Sequence, residues 1–561
     1  MTIKEDTATA NLSEHLSRAA ARLPDKKAVV CPAGYGRDGQ PLFRSWTFRQ
    51  LEEETDRVAH AFHRLGIGKG VRAILMVKPS FELFCLTFAL LRVGAVPVLI
   101  DPGMGRNKLV ANLSAIGAEA FIGIPLAHAL RVLSPGAFST VRVNVTVGRR
   151  LFWGGVRFDD LRRGVWRAFP PEPSRPEDLA GIFFTTGSTG PPKGVVYEHG
   201  MFDAQVRYLS SHFGYGENDV DLATFPLFAI LDIVLGITSV IPDMDPTRPA
   251  KADPRKIVAT LSAQGCNSLY GSPALLENLV RYGQATGATL PGLRRIITAG
   301  APVRPALLEA LHRMLPEDAV IHTPYGATEV LPVSSIDSRE ILEATREASE
   351  AGGGTCVGQP LAGMQVAIIG ISEDPIDHWL QAVELSRREI GEIAVKGPVV
   401  TKEYFLRPEA TRLAKIVDER DEGVWHRMGD VGYLDEWNRL WFCGRKTHRV
   451  EAPGRTLFTI PCEAVFNRHP RVRRSALVGI GRPGAQRPVM VIELAPGDKG
   501  RERDTLTAEL LALGASCAHT KSIRTILYHP GFPVDIRHNA KIFREKLALW
   551  AEKTLAGRPA R

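Results

Sequence analysis

Apolar positions in this chain change period several times, and the changes mark out its parts. Across residues 46–65, Leu51, Val58, Ala61, Phe62 and Leu65 recur at helical spacing, the pattern of a helix with one buried stripe. Gly66-Ile67-Gly68 then supplies a glycine stop. Residues 71–77 read as a strand, 81–91 as an apolar helix and 95–100 as a second strand. Strand, helix and strand at this spacing make a βαβ unit and hence a parallel sheet. The pattern returns as a strand at 222–225, an apolar segment at 230–241, a strand at 268–270, a helix at 273–282 and a strand at 295–298 that ends at Gly300-Ala301-Pro302. Past Gly391 the period drops to two. Residues 392–396, 431–434 and 440–442 alternate, the last two flanking the turn-like Asp435-Glu436-Trp437-Asn438. Such alternation predicts antiparallel strands in a β-barrel-like subdomain. A smaller α/β pattern follows Arg445. The predicted fold is therefore α/β: a large N-terminal domain over 1–445, with two α/β subdomains and the barrel-like one, and a small α+β C-terminal domain over 446–561.

Composition narrows this picture only a little. With 561 residues, 44% hydrophobic and 23% charged, the chain is long enough for several sizeable cores and ordinary for a globular protein. The longest apolar stretch, 81–100, is interrupted by Glu82 and Arg92, so it reads as a buried helix and strand and not as a membrane span. No apolar leader follows the charged start Lys4-Glu5-Asp6. The seven cysteines contain no Cys-x-x-Cys pair, which argues against a zinc site or a disulfide frame and for a reducing compartment, the cytoplasm. Peripheral contact with a membrane surface stays compatible with all of this. The net charge of +9 favours anionic ligands without naming one. Arg445, Lys446, His448, Arg449 and Arg455 cluster near the domain boundary. With no DNA-binding motif beside them they read as a solvated hinge surface, and no nucleic-acid partner is expected.

Four short elements carry candidate chemistry. Residues 184–194 read Phe-Thr-Thr-Gly-Ser-Thr-Gly-Pro-Pro-Lys-Gly, fed by the apolar residues 180–183. Glycine lets backbone N–H groups approach an anion, hydroxyls add donors and Lys193 adds charge, so the loop can wrap polyphosphate. It is not a Walker A loop, because Gly194 follows the lysine where Ser or Thr would be needed. The second element is Tyr325-Gly326-Ala327-Thr328-Glu329. The third is His426-Arg427-Met428-Gly429-Asp430, with Gly444-Arg445 beyond it. The fourth is Asn539-Ala540-Lys541. Taken singly, Glu329 reads as a helix N-terminal acid, Asp430 as a turn residue and Lys541 as a surface charge.

Together and in this order, the four elements resemble the AMP-forming adenylating superfamily of acyl-CoA synthetases, luciferases and adenylation domains, from about residue 15 to 550. The resemblance implies a role for each matching residue. Thr185, Thr186, Gly187, Ser188, Thr189, Gly190 and Lys193 would hold the ATP phosphates. Gly300, Ala301 and Pro302 would lie by the adenine, continued by Tyr325 and Gly326. Thr328 would reach the α-phosphate. Glu329, with Thr185, would hold Mg²⁺, a hard ion that seeks oxygen. Asp430 would accept both ribose hydroxyls, and Arg445 would add a ribose or phosphate contact. Lys541, carried by a mobile C-terminal domain, would bridge the attacking carboxylate and the α-phosphate. Glu329, Thr185 and Lys541 are thus the expected catalytic residues, with ATP and Mg²⁺ as cofactors.

Departures from the common motifs sharpen the resemblance. The last motif lacks the frequent Ser-Gly-Lys and reads His538-Asn539-Ala540-Lys541. A frequent Phe-His pair by the acyl pocket is Phe228-Ala229, and Thr447 stands at the hinge. These details are most similar to the β-lactone synthetases of bacterial long-chain olefin biosynthesis. That implies a long-chain 2-alkyl-3-hydroxy acid as substrate, its own hydroxyl closing a β-lactone, and a place beside other enzymes of that pathway in an assembly. Phe225, Leu227, Phe228, Ala229, Ile230, Leu231, Ile233, Val234, Leu235 and Ile237 are candidates to line the acyl channel. The competing readings are a long-chain fatty acyl-CoA synthetase and a non-catalytic ATP-binding protein on the same fold. No residue of the sequence presents itself as the lactonising base, and His199 reads as structural.

Overall fold

The computed structural model describes residues 10–100, 104–185, 192–498, 500–534 and 542–557. Two largely parallel sheets dominate the N-terminal part. The first has seven strands in the spatial order Val156–Arg157, Val143–Thr146, Ala120–Gly123, Arg72–Met76, Val96–Leu99, Leu179–Thr185, Lys193–Glu198. Only its last pair is antiparallel. The second has nine strands, and its parallel centre runs through Val320–Ala327, Arg295–Ile297, Ser268–Tyr270, Val220–Ala223, Thr238–Val240 and Lys27–Tyr35. Apolar helices fill the space between. Phe81–Arg92 is buried along almost its whole length. The arginine that interrupts this apolar run, Arg92, is fully buried and paired with Asp56 and, at 2.7 Å, with Glu52. That pairing answers the desolvation cost of a buried cation. Thr47 closes a capping box at the start of the helix Phe48–Arg64, fixing where that stripe begins.

A six-stranded antiparallel sheet follows, built from Thr355–Cys356, Gln365–Ile369, Gly391–Lys396, Lys415–Asp418, Gly423–Leu434 and Leu440–Arg445. From Val450 onward the strands belong to separate two- and three-stranded sheets, packed by the helices Thr459–Asn467, Arg503–Ala515 and Arg544–Leu555. Among the described residues no helix is long and apolar enough to cross a membrane.

Some local expectations fail for physical reasons. Glu329 does not begin a helix. It sits in the turn between the antiparallel strands Val320–Ala327 and Val330–Asp337. Gly326 permits the tight return, since a Cβ there would lie 2.6 Å from the Val330 carbonyl oxygen. Asp430 is not in a terminal turn but inside the strand Gly423–Leu434, just after Gly429, whose φ of 63° kinks the strand. Most of the basic cluster is not a solvated surface: Lys446 pairs with Glu392 at 3.2 Å and Arg449 with Glu373 at 2.8 Å, while Arg455, in the exposed stretch 453–456, is solvated as expected. The apolar segment 230–241 divides into the end of the helix Pro226–Leu235 and the strand Thr238–Val240.

Candidate active site

The two parallel sheets, the six-stranded sheet and the C-terminal part surround one cleft of about 3290 Å³. Its walls include Lys193, Gly300, Ala301, Pro302, Tyr325, Gly326, Thr328, Glu329, Asp430 and Arg445. Residues from motifs more than 200 positions apart thus meet in one space. Thr186, Gly187, Ser188, Thr189, Gly190 and Lys541 lie outside the described residues, as does the side chain of Thr185.

One corner of the cleft is a polar clamp. The Tyr325 hydroxyl donates to Asp430 Oδ2 at 2.6 Å, and Arg445 Nη1 lies 3.0 Å from Asp430 Oδ1. Asp430 and Arg445 stand opposite one another across adjacent strands, so the sheet itself fixes their pairing. Burial and the neighbouring Asp430 carboxylate push the Tyr325 hydroxyl well above its ordinary range. It stays a proton donor toward Asp430, a residue that lines the cleft.

A second corner is organised around Glu329. The Tyr404 hydroxyl donates to Glu329 Oε1 at 2.8 Å. Thr401 holds the Glu329 carbonyl with its backbone N–H at 2.9 Å and its hydroxyl at 3.0 Å. Tyr197 donates to the Thr328 carbonyl at 2.6 Å. The segment carrying Thr401 and Tyr404 bridges to both sheets, Val400 to Val330 and Tyr404 to Val195. The Lys193 ammonium sits 4.6 Å from the centre of the Tyr404 ring. No group of three or more His, Cys, Asp or Glu side chains that could hold a metal occurs among the described residues. The single carboxylate of Glu329 fits the Mg²⁺ that the sequence resemblance implies, an ion that takes one or two carboxylates and completes its octahedron with other oxygens.

The motifs did not point to Thr401, Tyr404 or Lys415. Lys415 is buried and donates to both oxygens of Thr401, the hydroxyl at 3.1 Å. Its signal in the sequence is a lysine inside Ala414-Lys415-Ile416-Val417, at a position of the strand that faces inward. Burial lowers its pKa to about 7, opposed by Glu329 and assisted by Lys193. The unfolded chain therefore holds a proton here up to the ordinary 10.5, while the folded chain releases it above about 7. Stability should rise with pH above that point, by at most about 1.4 kcal/mol per pH unit. Lys415→Met should remove this slope between pH 7 and roughly 8.5, before unfolded-state cysteines ionise. Chemical denaturation of both proteins at several pH values tests this, and identical slopes would refute it.

Beside Thr328 the cleft opens into an apolar cavity of about 100 Å³. Phe225, Leu227, Phe228, Ile230 and Leu231 line it, with the Phe228 ring stacked 3.7 Å from that of Tyr270. Ala229 and Val234, expected in this lining, are not there. Both are buried in the core. Ala229 lies roughly 200° around the helix from Leu227, and Val234 shares its angle but lies roughly 10 Å further along the axis. Ile233, Leu235 and Ile237 are likewise absent from the lining. His199 is buried, its Nδ1 accepts from the Leu12 N–H at 3.4 Å, and burial lowers its pKa to about 4. It acts as a structural acceptor.

Residues 16–405 match the family of AMP-binding enzymes, and the chain belongs to that family. It is 48% identical over 550 residues to the olefin beta-lactone synthetase of Xanthomonas campestris pv. campestris, covering 97% of this chain and 98% of that one. It is equally 48% identical over 554 residues to the olefin beta-lactone synthetase of Stenotrophomonas maltophilia, covering 98% and 99%. Among solved structures, the anthranilate CoA ligase AuaEII in complex with anthranoyl-AMP superposes with a TM-score of 0.79 at 20% identity, over 99% of this chain and all of that one. This last likeness concerns the fold: a large N-terminal and a smaller C-terminal domain.

Proposed function

We propose that the protein uses ATP to convert a long-chain 2-alkyl-3-hydroxy fatty acid into its acyl adenylate, and then into a β-lactone. The observation that carries this reading is the 48% identity, end to end, to two olefin beta-lactone synthetases. The convergence of Tyr325, Glu329, Asp430 and Arg445 in one cleft supports the nucleotide half of it. In this reading Asp430 accepts the ribose hydroxyls, aligned by Tyr325 and Arg445. Lys193 and the loop before it hold the phosphates. Glu329, fixed by Tyr404 and Thr401, takes Mg²⁺, which neutralises phosphate charge when bound. Lys541, from a C-terminal domain spanning 446–561, joins them for the first step. The substrate carboxylate attacks the α-phosphorus and pyrophosphate departs. The 3-hydroxyl oxygen then attacks the acyl carbon, its proton is released, and AMP leaves with the electrons of the acyl–oxygen bond. Both groups belong to one bound molecule, and effective molarities of about 10⁵ M or more are attainable for well-placed groups. Millimolar CoA cannot compete with that. The seven free cysteines suit a cytoplasmic setting, where other enzymes of the same pathway would supply the substrate and consume the lactone.

The test is incubation with ATP, magnesium and a 2-alkyl-3-hydroxy acid, with and without CoA, followed by nucleotide analysis and NMR of the product. AMP, pyrophosphate and a β-lactone should form at the same rate in both mixtures. ADP as the main nucleotide would defeat the adenylation reading. Accumulation of acyl-CoA without a lactone carbonyl would establish a long-chain acyl-CoA synthetase in its place.

A further inference from the structure

The substrate proposed above carries two alkyl branches, and the cavity beside Thr328 has room for only a few carbons of one of them. An apolar cavity of roughly 150 Å³ accommodates one benzene ring, and this one measures about 100 Å³. A second apolar path begins at the same place. Leu99 and Phe183 line the cavity and also the cleft. From them the cleft wall runs over the C-terminal ends of three neighbouring strands of the first sheet. Leu99 ends one strand and Ile100 follows it, Met76 ends the next and Ile124 follows the third. It then reaches the helix Pro125–Val132, where Leu126 and Leu130 line it, and Leu133 just beyond. From the strand bearing Phe183 to the third of these strands is three strand spacings, roughly 14 Å, a length that suits a long alkyl chain. Leu413, on the helix-bearing segment of the six-stranded subdomain, lines the same cleft. Leu126 and Leu133 are 77% and 67% exposed. Large apolar side chains left bare along a path that leads out of an active site call for an apolar occupant.

We infer that the two alkyl branches of the substrate part at Leu99 and Phe183, one reaching into the small cavity beside Thr328 with only its first few carbons and the other lying in the trough that ends at Leu126 and Leu133. This inference rests on the β-lactone reading and adds to it a separate specificity determinant for each branch. The trough is open at its far end, so its branch has no sharp upper length limit. The cavity imposes one on the other branch.

Two variants and two substrates test it. The double variant Leu126→Glu/Leu133→Glu alters exposed positions and should fold normally. Leu231→Phe fills the cavity. The substrates are 2-alkyl-3-hydroxy acids with a long chain at C2 and methyl at C3, and the reverse. Each variant should raise KM at least about tenfold, the loss of about two buried methylene contacts, for one of these acids and leave the other within twofold. The two variants should respond to opposite acids. If both affect the same acid, or neither affects either, the inference falls. It falls equally if the Glu variant keeps its chain-length profile but loses binding to phosphatidylglycerol vesicles or changes oligomeric state, because the trough is then a docking surface. Lactone yield from wild-type protein in the same assay keeps the two levels apart. No lactone would sink the functional reading, whereas lactone with an undivided length response would sink this inference alone.

Discussion

Replacing Asp430 with alanine is expected to raise the KM for ATP about 100-fold or more and to leave kcat within about threefold. The carboxylate is buried to 3% exposure and already oriented by the Tyr325 hydroxyl and Arg445. Two ribose hydroxyls donating to a charged acceptor contribute about 1.5–3 kcal/mol each, and the weaker figure for both already gives a factor of about 100. The ribose takes no part in bond making. Its contacts are therefore equally strong in ground and transition states, so their loss appears in KM. Alanine would also leave the half-buried Arg445 without its carboxylate partner, which adds to the cost. Asp430→Asn, with one acceptor oxygen, should fall between. Tyr325→Phe, which removes a single neutral donor, should cost about fivefold. Pyrophosphate-release kinetics and calorimetric titration with AMP measure these effects. A KM for Asp430→Ala within twofold of wild type would remove Asp430 from the nucleotide site.

The opposite division is expected for Lys541→Ala: nearly unchanged ATP binding, with adenylate formation slowed about 100-fold or more. A preorganised charge contact at the developing phosphoryl–acyl bond has this scale. Support comes from the described neighbours of the residue. Val534 and Ile542 pair with each other, and both line the cleft together with Phe543 and Arg544. Arg544 is locked to Glu463 at 2.7 Å, which anchors that end of the segment to the C-terminal domain. Single-turnover formation of radiolabelled acyl adenylate, compared with equilibrium ATP binding, separates the two quantities. Normal single-turnover adenylation in this variant would show that the lysine has no part in the chemistry.

The parallel sheets were legible because buried strands write themselves as short apolar runs punctuated by glycine and proline, and the antiparallel sheet because half-buried strands alternate. Tyr325, Glu329, Asp430 and Arg445 were legible because each belongs to a contiguous motif. Thr401 and Tyr404 were not, because nothing local distinguishes them, and Lys415 was marked only by the apolar residues around it. They reach Glu329 only through bridges to strands some 70 and 200 residues earlier. The burial of the basic cluster depended in the same way on Glu373 and Glu392, whose nearness no window of sequence reveals. Ala229 and Val234 show a different limit. Periodicity says that a helix is apolar all round, but its rotation about its own axis decides which side chains meet the cavity and which meet the core.

The clamp of Tyr325, Asp430 and Arg445 has a consequence for biosynthesis. Its parts come from the second sheet and from the last strands of the third, and Glu329 is fastened by Thr401 and Tyr404 from the same late segment. Domains fold largely as units while the ribosome is still extending the chain. A nascent chain that has completed both parallel sheets therefore owns the strands Leu179–Thr185 and Lys193–Glu198 and Tyr325, but neither Asp430 nor the contacts that fasten Glu329. The growing polypeptide gains its complete nucleotide clamp only after residue 445 has emerged. On the function proposed above, a polypeptide that ends before Asp430 is expected to bind ATP weakly, because it lacks the carboxylate of the clamp.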